Sequence, residues 1–342
     1  LVSLIYIEVK FIEVLTGLIV NSIQLKTTSI ENVTSDIKKF EFVDAKGGSL
    51  PDFTAGSHID FDLGNGLIRS YSLAGSPNET SKYTTAILRE ADGDGGSMFM
   101  HDNVSVGDEL SAKPPVNNFQ LSPEATRHIL LAGGIGITPL LSMGHKLASD
   151  SSHRYLHYCT KSAGDTAFVD EVKALFGENM MFYHDGGNPG EGIDLVNTFL
   201  ERPDGAHIYI CGPSGLITAA REATSHWPTG TVHFELFKST KEESDENKDQ
   251  SENENEEFQI ELAKTGKVLT VPAEKSMLEV LWENDIDVMH ACEEGWCGNC
   301  VVDYLGGEVD HRDECLDDGE RETKLQACVS RALPGQKIIL DL

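Results

Sequence analysis

Four cysteines constrain this chain more than any other feature. Cys292, Cys297 and Cys300 stand at C-x4-C-x2-C spacing within His290-Ala291-Cys292-Glu293-Glu294-Gly295-Trp296-Cys297-Gly298-Asn299-Cys300, and Cys328 follows in Gln326-Ala327-Cys328-Val329. Plant-type [2Fe–2S] clusters are ligated at this spacing. The glycines between the thiols let the backbone wrap closely round a small inorganic core and leave amide N–H groups to face its sulfurs. Zinc ligation prefers two C-x2-C pairs, whereas here a single pair is completed by a lone, distant cysteine. Zinc and unliganded thiols stay as alternatives. A chain built round such a loop must supply it with electrons.

The 342 residues suffice for two or three domains with separate cores. A formal net charge of −29 repels phosphates and argues against nucleic acid as a partner. Such acidity suits docking to a basic protein partner, and equally suits plain solubility. Three cysteines lie outside the cluster set, Cys159, Cys211 and Cys315. An odd remainder without regular pairing suggests a reducing compartment, and the cytoplasm is the expectation. Residues 1–20 are apolar but interrupted by Glu8, Lys10 and Glu13, with no secretory pattern. They are expected to be an N-terminal extension outside the fold, with neither a membrane span nor a signal.

From Ser22 the pattern becomes short alternating runs, Ile23-Gln24-Leu25-Lys26 and Ile37 to Val43 among them, punctuated by turn residues. An antiparallel β-barrel or sandwich over 21–122 is predicted. It contains Arg69-Ser70-Tyr71-Ser72-Leu73 and Gly95-Gly96-Ser97. The first offers a charge, an aromatic face and a hydroxyl; the second, at a helix start, offers backbone N–H groups to a phosphate. An exposed strand arginine beside a core tyrosine would read the same way.

The apolar run His128 to Ala132 then ends in Gly133-Gly134-Ile135-Gly136-Ile137-Thr138-Pro139. Strand, tight turn and helix N-terminus in that order, with Pro139 opening the amphipathic stretch, bind phosphates; a lone glycine-rich loop is as often merely a strand-to-helix turn. Strands and helices alternate over 123–237, which predicts an α/β domain with a parallel sheet and its ligand crevice at the strands' carboxyl ends. Cys211-Gly212-Pro213 falls at one such end. Cys211 reads either as a small core residue or as a polarisable contact for a nicotinamide ring.

Lys238 to Glu257 hold nine acidic residues, three lysines and no apolar side chain, which predicts an acidic linker over 238–257. An expanded surface loop is the plainer reading. The last domain, 258–342, opens with a predicted hairpin, Phe258 to Leu262 and Lys267 to Val271. Ser276 and Glu279 stand in capping-box register ahead of a helix. With the cysteine loop and a closing strand at Lys337 to Leu340, this resembles a ferredoxin.

The ordered set of these motifs, with Val232-His233-Phe234-Glu235-Leu236-Phe237 and Asp310-His311-Arg312-Asp313, resembles the phthalate dioxygenase reductase and vanillate demethylase reductase group over about Ser22 to Leu342. The resemblance implies an FMN-binding barrel, an NADH-binding α/β domain and a plant-type [2Fe–2S] ferredoxin of β-grasp fold. It implies electron delivery to a separate Rieske-type oxygenase. Other acceptors, a cytochrome or a diiron oxygenase, and a ferredoxin-type carrier with an inactive flavin domain are the alternatives.

Carried over residue by residue, the resemblance assigns FMN to Arg69, Tyr71, Ser72 and Gly95-Gly96-Ser97. It sets Gly134, Gly136, Thr138, Cys211, Gly212 and Pro213 round the flavin–nicotinamide junction, with Phe237 approaching the flavin and Ser72, Cys211 and Phe237 nearest the chemistry. Family members often carry arginine at the position of Asp94, and lysine occurs at that of Leu88, so either FMN phosphate affinity is weakened or Arg69 and Arg89 carry the phosphate charge. NADH rather than NADPH also rests on the resemblance. Asp165 repels a 2′-phosphate and Lys161 attracts one, so the residues leave that choice open.

Overall fold

The computed structural model describes residues 22–342 apart from 65, 66, 92, 94, 229, 238–254, 285, 287, 289–294, 296–299, 314, 315, 317, 318 and 334. The expected N-terminal extension, most of the acidic linker, Asp94, Cys292, Trp296, Cys297 and Cys315 therefore lie outside the described residues.

Strands β1 (Ile23–Asn32), β2 (Ile37–Asp44), β3 (His58–Asp62), β4 (Ile68–Ser72), β5 (Tyr83–Leu88) and β6 (Glu109–Ala112) form one antiparallel sheet in the order β4-β3-β6-β1-β2-β5. The two edge strands meet: Leu73 pairs with Thr85, and the Thr85 hydroxyl donates to the Ser72 carbonyl at 2.8 Å. That contact bends the sheet into a barrel and removes the exposed edge that an open sheet would present. Alternation fills the interior, since Phe40 and Phe42 of β2 and Ile59 and Phe61 of β3 are all fully buried. Helix α1 (Gly96–Asn103) follows β5.

Strands β7 (Arg127–Gly133), β8 (His153–Thr160), β9 (Met180–His184), β10 (Ala206–Gly212) and β11 (Val232–Leu236) make a parallel sheet in the order β11-β10-β7-β8-β9. Helices α2 (Ile137–Ser149), α3 (Val169–Phe176), α4 (Leu195–Thr198) and α5 (Ser214–Ala223) connect its strands. Helix α2 begins at Ile137, two residues before Pro139. A proline is tolerated there because first-turn N–H groups have no partner within the helix.

The barrel and the parallel sheet share a core. Ala55, Ala74 and Ala86 of the barrel pack in one cluster with Leu140, Leu141 and Met143 of α2 and with Phe119. Small residues on one side let large ones enter from the other. Backbones come closer still at Gly56, whose φ is +94° and where an added Cβ would stand 2.0 Å from the Phe119 carbonyl oxygen.

Contacts divide the chain into two units, Leu1–Ser244 and Asp245–Leu342. In the second, β12 (Phe258–Leu262), β13 (Lys267–Val271), β14 (Val301–Gly306), β16 (Lys324–Gln326) and β18 (Lys337–Leu340) form a sheet in the order β13-β12-β18-β14-β16, and β15 (Val309–Asp310) pairs with β17 (Arg331–Ala332). Strands β12 and β18 are parallel, the other pairs antiparallel, and helix α6 (Met277–Glu283) covers the sheet. The capping box is formed: the Glu279 amide donates to Ser276 Oγ at 3.1 Å, and the Ser276 amide to Glu279 Oε2 at 2.7 Å. Buried Arg331 stacks on Phe258 and donates to the carbonyls of Glu256, Pro272 and Lys275, tying the first residues of this unit to its body. Among the described residues, no helix is long and apolar enough to cross a membrane.

The shared core yields a test. Leu140→Ala should cost the first unit about 2–5 kcal/mol. Differential scanning calorimetry should show its transition falling while that of the ferredoxin unit stays in place.

Candidate flavin–nicotinamide junction and cluster site

Strand β4 sends Tyr71 towards the barrel interior, against Phe61 at 6.1 Å, while Ser70 on the opposite face donates to Asp60 at 2.6 Å. Burial, opposed by the Arg69 charge, pushes the Tyr71 hydroxyl up to about 12, so it stays protonated as a donor. Arg69 lays its stem across Gly96: a Cβ there would stand 2.4 Å from Arg69 Cγ, so only glycine lets arginine and helix start approach. Gly95 takes φ +82° as the N-cap of α1, and no side chain caps that helix. Unsatisfied N–H groups at the positive end of a helix, beside an arginine, fit an anionic phosphate.

Ser97 and Arg89 are occupied locally. The Ser97 hydroxyl accepts from the Glu90 amide at 3.1 Å, and the Arg89 guanidinium pairs with Asp102 at 2.9 Å. The structure thus brings Arg69, Gly95, Gly96 and Ser97 together and turns Arg89 towards the far end of the same helix.

The glycines of the second motif serve closeness. Strands β7 and β10 are neighbours, with Ala132 opposite Cys211. A Cβ on Gly136 would stand 2.2 Å from the Cys211 carbonyl oxygen, and one on Gly212 would stand 2.8 Å from Gly133 Cα. Gly134 turns the chain at φ +53°, and its carbonyl accepts from Tyr158 Oη at 3.1 Å. Buried Thr138 donates to the Ile135 carbonyl at 3.0 Å, which closes the turn. Pro213 lies beside Gly133, where a Cβ would meet its Cδ at 2.7 Å. Phe237 packs at the rim of the core cluster that contains Cys211.

One residue of this junction was not singled out from the sequence. Glu235 of β11 stands opposite Cys211 in β10. Its carboxyl faces Ser72 of β4, and its Oε2 is buried with no hydrogen-bond partner among the described residues. Desolvation pushes Glu235 up to about 8, with Ser72 opposing. Burial first, and then the Glu235 charge, hold the Cys211 thiol far above its ordinary value, so it is no thiolate nucleophile. Ser72, Cys211 and Glu235 arrive from three strands in two sheets. A carboxylate set among Phe234, Leu236 and Phe237 was the available signal.

In the second unit the thiols of Cys300 and Cys328 converge to 3.0 Å. Both are buried. Gln326, also missed in the sequence, is fully buried: its Oε1 lies 3.2 Å from Cys300 Sγ, and its Nε2 donates to the Gly295 carbonyl at 3.1 Å. Gly295 has φ +84° and no room for a Cβ beside Val329. Two buried thiols meeting at one point, with a glycine cradle beside them, fit the paired ligands of one iron. Cys292 and Cys297 lie outside the described residues, and no group of three metal-ligating side chains occurs among the described ones.

Glu235 carries a pH signature. The native carboxyl keeps its proton up to about pH 8, whereas the unfolded chain releases it near the ordinary 4.5. The native state binds more protons between these values. Stability is therefore full at the acid end of that window and falls as pH rises, by up to about 1.4 kcal/mol per pH unit. Glu235→Gln should flatten the decline, read as melting temperature of the first unit from pH 5.5 to 8.

Comparison with known proteins places both halves. The family described as "2Fe-2S iron-sulfur cluster binding domain" matches residues 260–333, and "Oxidoreductase NAD-binding domain" matches residues 130–222. The reductase subunit of tert-butanol monooxygenase / tert-amyl alcohol desaturase from Aquincola tertiaricarbonis is 40% identical over 94% of this chain and 96% of its own length. A solved phthalate dioxygenase reductase, described as a modular structure for electron transfer from pyridine nucleotides to [2Fe–2S], is 38% identical with a TM-score of 0.64, covering 94% of this chain and 98% of that one. An intact type IV self-sufficient cytochrome P450 monooxygenase is 37% identical with a TM-score of 0.70, and this chain spans 41% of that longer one. Likeness along nearly the whole chain, with the nucleotide and iron–sulfur domains in the same order, shows that the chain belongs to the phthalate dioxygenase reductase family.

Proposed function

We propose that this protein is the NADH-dependent reductase component of a two-component Rieske-type oxygenase or demethylase, passing electrons from NADH through FMN and a [2Fe–2S] cluster to the oxygenase. One observation carries the reading. The Ser72–Glu235–Cys211 junction, where barrel and nucleotide sheet meet, and the converging thiols of Cys300 and Cys328 belong to one chain. The domain reading that follows is a flavin barrel over 21–122, a nucleotide domain over 123–237, an acidic linker over 238–257 and a ferredoxin over 258–342.

Arg69 and the uncapped start of α1 at Gly95-Gly96-Ser97 would hold the FMN phosphate. Tyr71 and Ser72 would line the isoalloxazine, and Gly134, Gly136, Thr138, Gly212 and Pro213 would form the dinucleotide turn. Cys292, Cys297, Cys300 and Cys328 would ligate the cluster. When bound, FMN would supply the conversion between a two-electron hydride donor and a one-electron acceptor. The chain's own residues fix the approach. Cys211, small and neutral, keeps the crevice floor flat; Phe237 covers the junction from the core side; protonated Glu235 adds no charge beside Ser72. No side chain need act as a base towards NADH, because the hydride leaves as an electron pair with its hydrogen.

A cytochrome acceptor is the second reading, favoured by the likeness to the self-sufficient P450. A cytoplasmic setting is supported by the unpaired thiols of Cys159 and Cys211. An anaerobic NADH titration should bleach both flavin and iron–sulfur absorption. In Cys328→Ser the iron–sulfur bands should be lost while the flavin bands still bleach. Reduction of a purified Rieske-type oxygenase should outpace reduction of a cytochrome P450 supplied separately; the reverse order would replace the Rieske assignment. Rate falling with salt would identify electrostatic docking of the acidic chain to a basic patch.

A further inference from the structure

Gln326 joins the turn that carries Cys328 to the loop between Cys292 and Cys300. Register sets this up: Val301 of β14 stands opposite Gln326 of β16, and the Ala327 amide donates to the Cys300 carbonyl at 3.0 Å. The thiols of Cys300 and Cys328 meet as a result. Gln326 goes inward with them, fully buried, and the chain then turns back as the Ser330 amide donates to the Gln326 carbonyl at 2.9 Å. A glutamine reaches such depth only when both ends of its amide are used.

The two ends can be told apart. The Gln326 amide lies 3.1 Å from the Gly295 carbonyl, and a carbonyl oxygen can only accept, so the end that faces it must be Nε2. Oε1 is thereby committed to the other side, 3.2 Å from Cys300 Sγ and 3.8 Å from Cys328 Sγ. Gly295 has no room to turn away. Its φ is +84°, an added Cβ would stand 2.6 Å from Val329 Cγ2, and the backbone of Asp313 closes the other side. Asp313 is itself pinned: its buried carboxylate accepts from the Leu316 amide at 3.0 Å and pairs with Arg321 at 3.3 Å.

We propose that Gln326 holds the reduction potential of the iron–sulfur site low by pointing the negative end of its amide dipole at the sulfurs of Cys300 and Cys328. The inference rests on the iron–sulfur reading of the second unit and names a residue that sets the driving force of its electron step. Ligating cysteines are thiolates, so their sulfurs share the negative charge that grows when the site takes up an electron. N–H groups aimed at those sulfurs favour that electron, and a carbonyl oxygen at the same range opposes it. Burial makes the opposition count, because the dipole acts in surroundings far less polarisable than water. The bond to Gly295 keeps an otherwise unfavourable oxygen in place. A site held low gives up its electron more readily to an acceptor.

The test is a dye-equilibrated redox titration of the full chain, following the iron–sulfur absorption bands, with no turnover needed. Gln326→Met keeps length and burial and removes the dipole; its potential should rise by about 59 mV, about a tenfold change in a one-electron equilibrium. Gln326→Glu, neutral or ionised, still presents an oxygen to the sulfurs, and its potential should lie at or below that of wild type. A side chain that merely filled space would shift both variants the same way. An unchanged or lowered potential in Gln326→Met overturns the proposal, as does a raised one in Gln326→Glu. Loss of the bands in either variant overturns it too, because an oxygen that only opposes reduction is not needed to hold iron. A wild type without iron–sulfur bands overturns the iron–sulfur reading and this inference with it.

Discussion

The contact on which the first unit depends is backbone against backbone. Strands β7 and β10 come together so closely at their carboxyl ends that Gly133, Gly136 and Gly212 have no space for a Cβ. Three consequences follow from that contact. It opens the glycine turn towards a ligand, sets Cys211 at the floor of the crevice and, through the β10–β11 pairing, carries Glu235 to the same point. A methyl group at Gly136 or Gly212 would press directly on backbone, and one at Gly133 would press on Pro213 and Leu216. Such a site tolerates adjustment poorly because close-packed interiors transmit displacement rather than absorb it.

The junction also stores electrostatic cost. A carboxyl with one oxygen buried and unpartnered is held neutral by desolvation, not by a neighbouring acid or a strong donor. Stability would be greater with an apolar residue of the same shape. Groups kept at such expense cluster where chemistry is done, and Glu235 sits at the meeting point of both nucleotide-handling sheets. The neutral state matters. An ionised carboxylate beside the crevice would repel electron density arriving there, whereas a protonated one does not.

Much of this was legible in the sequence, because the informative residues were local. The hairpin of β12 and β13 followed from alternation and turn residues, the start of α6 from Ser276 and Glu279, and the glycine turn from an apolar run ending in glycines. The start of α2 was read two residues late, since Pro139 marks a first turn without saying which of its positions it occupies. What the sequence hid depends on distant packing. Glu235 is one of 56 acidic residues, and its apolar neighbours Phe234, Leu236 and Phe237 mark it only as unusual, without showing that β4 and β10 enclose it. Gln326 reads as an ordinary strand end until Gly295 and Cys300 close round it. Arg89 has the chemistry of a phosphate ligand, and only the fold shows Asp102 holding it.

The two units answer different physical demands. Hydride transfer requires reacting atoms about 3–3.5 Å apart, so a small error of placement costs rate steeply. Barrel and nucleotide sheet accordingly share one core, in which alanines from the barrel receive the leucines and methionine of α2. A single electron passes without bond formation between donor and acceptor, so the accepting group needs no common core with the donor. The second unit has its own: α6 against its sheet, Cys300 and Cys328 within the same cluster, and Arg331 binding its first residues to its body. Separate cores keep the hydride step rigid and leave the electron step independent of it.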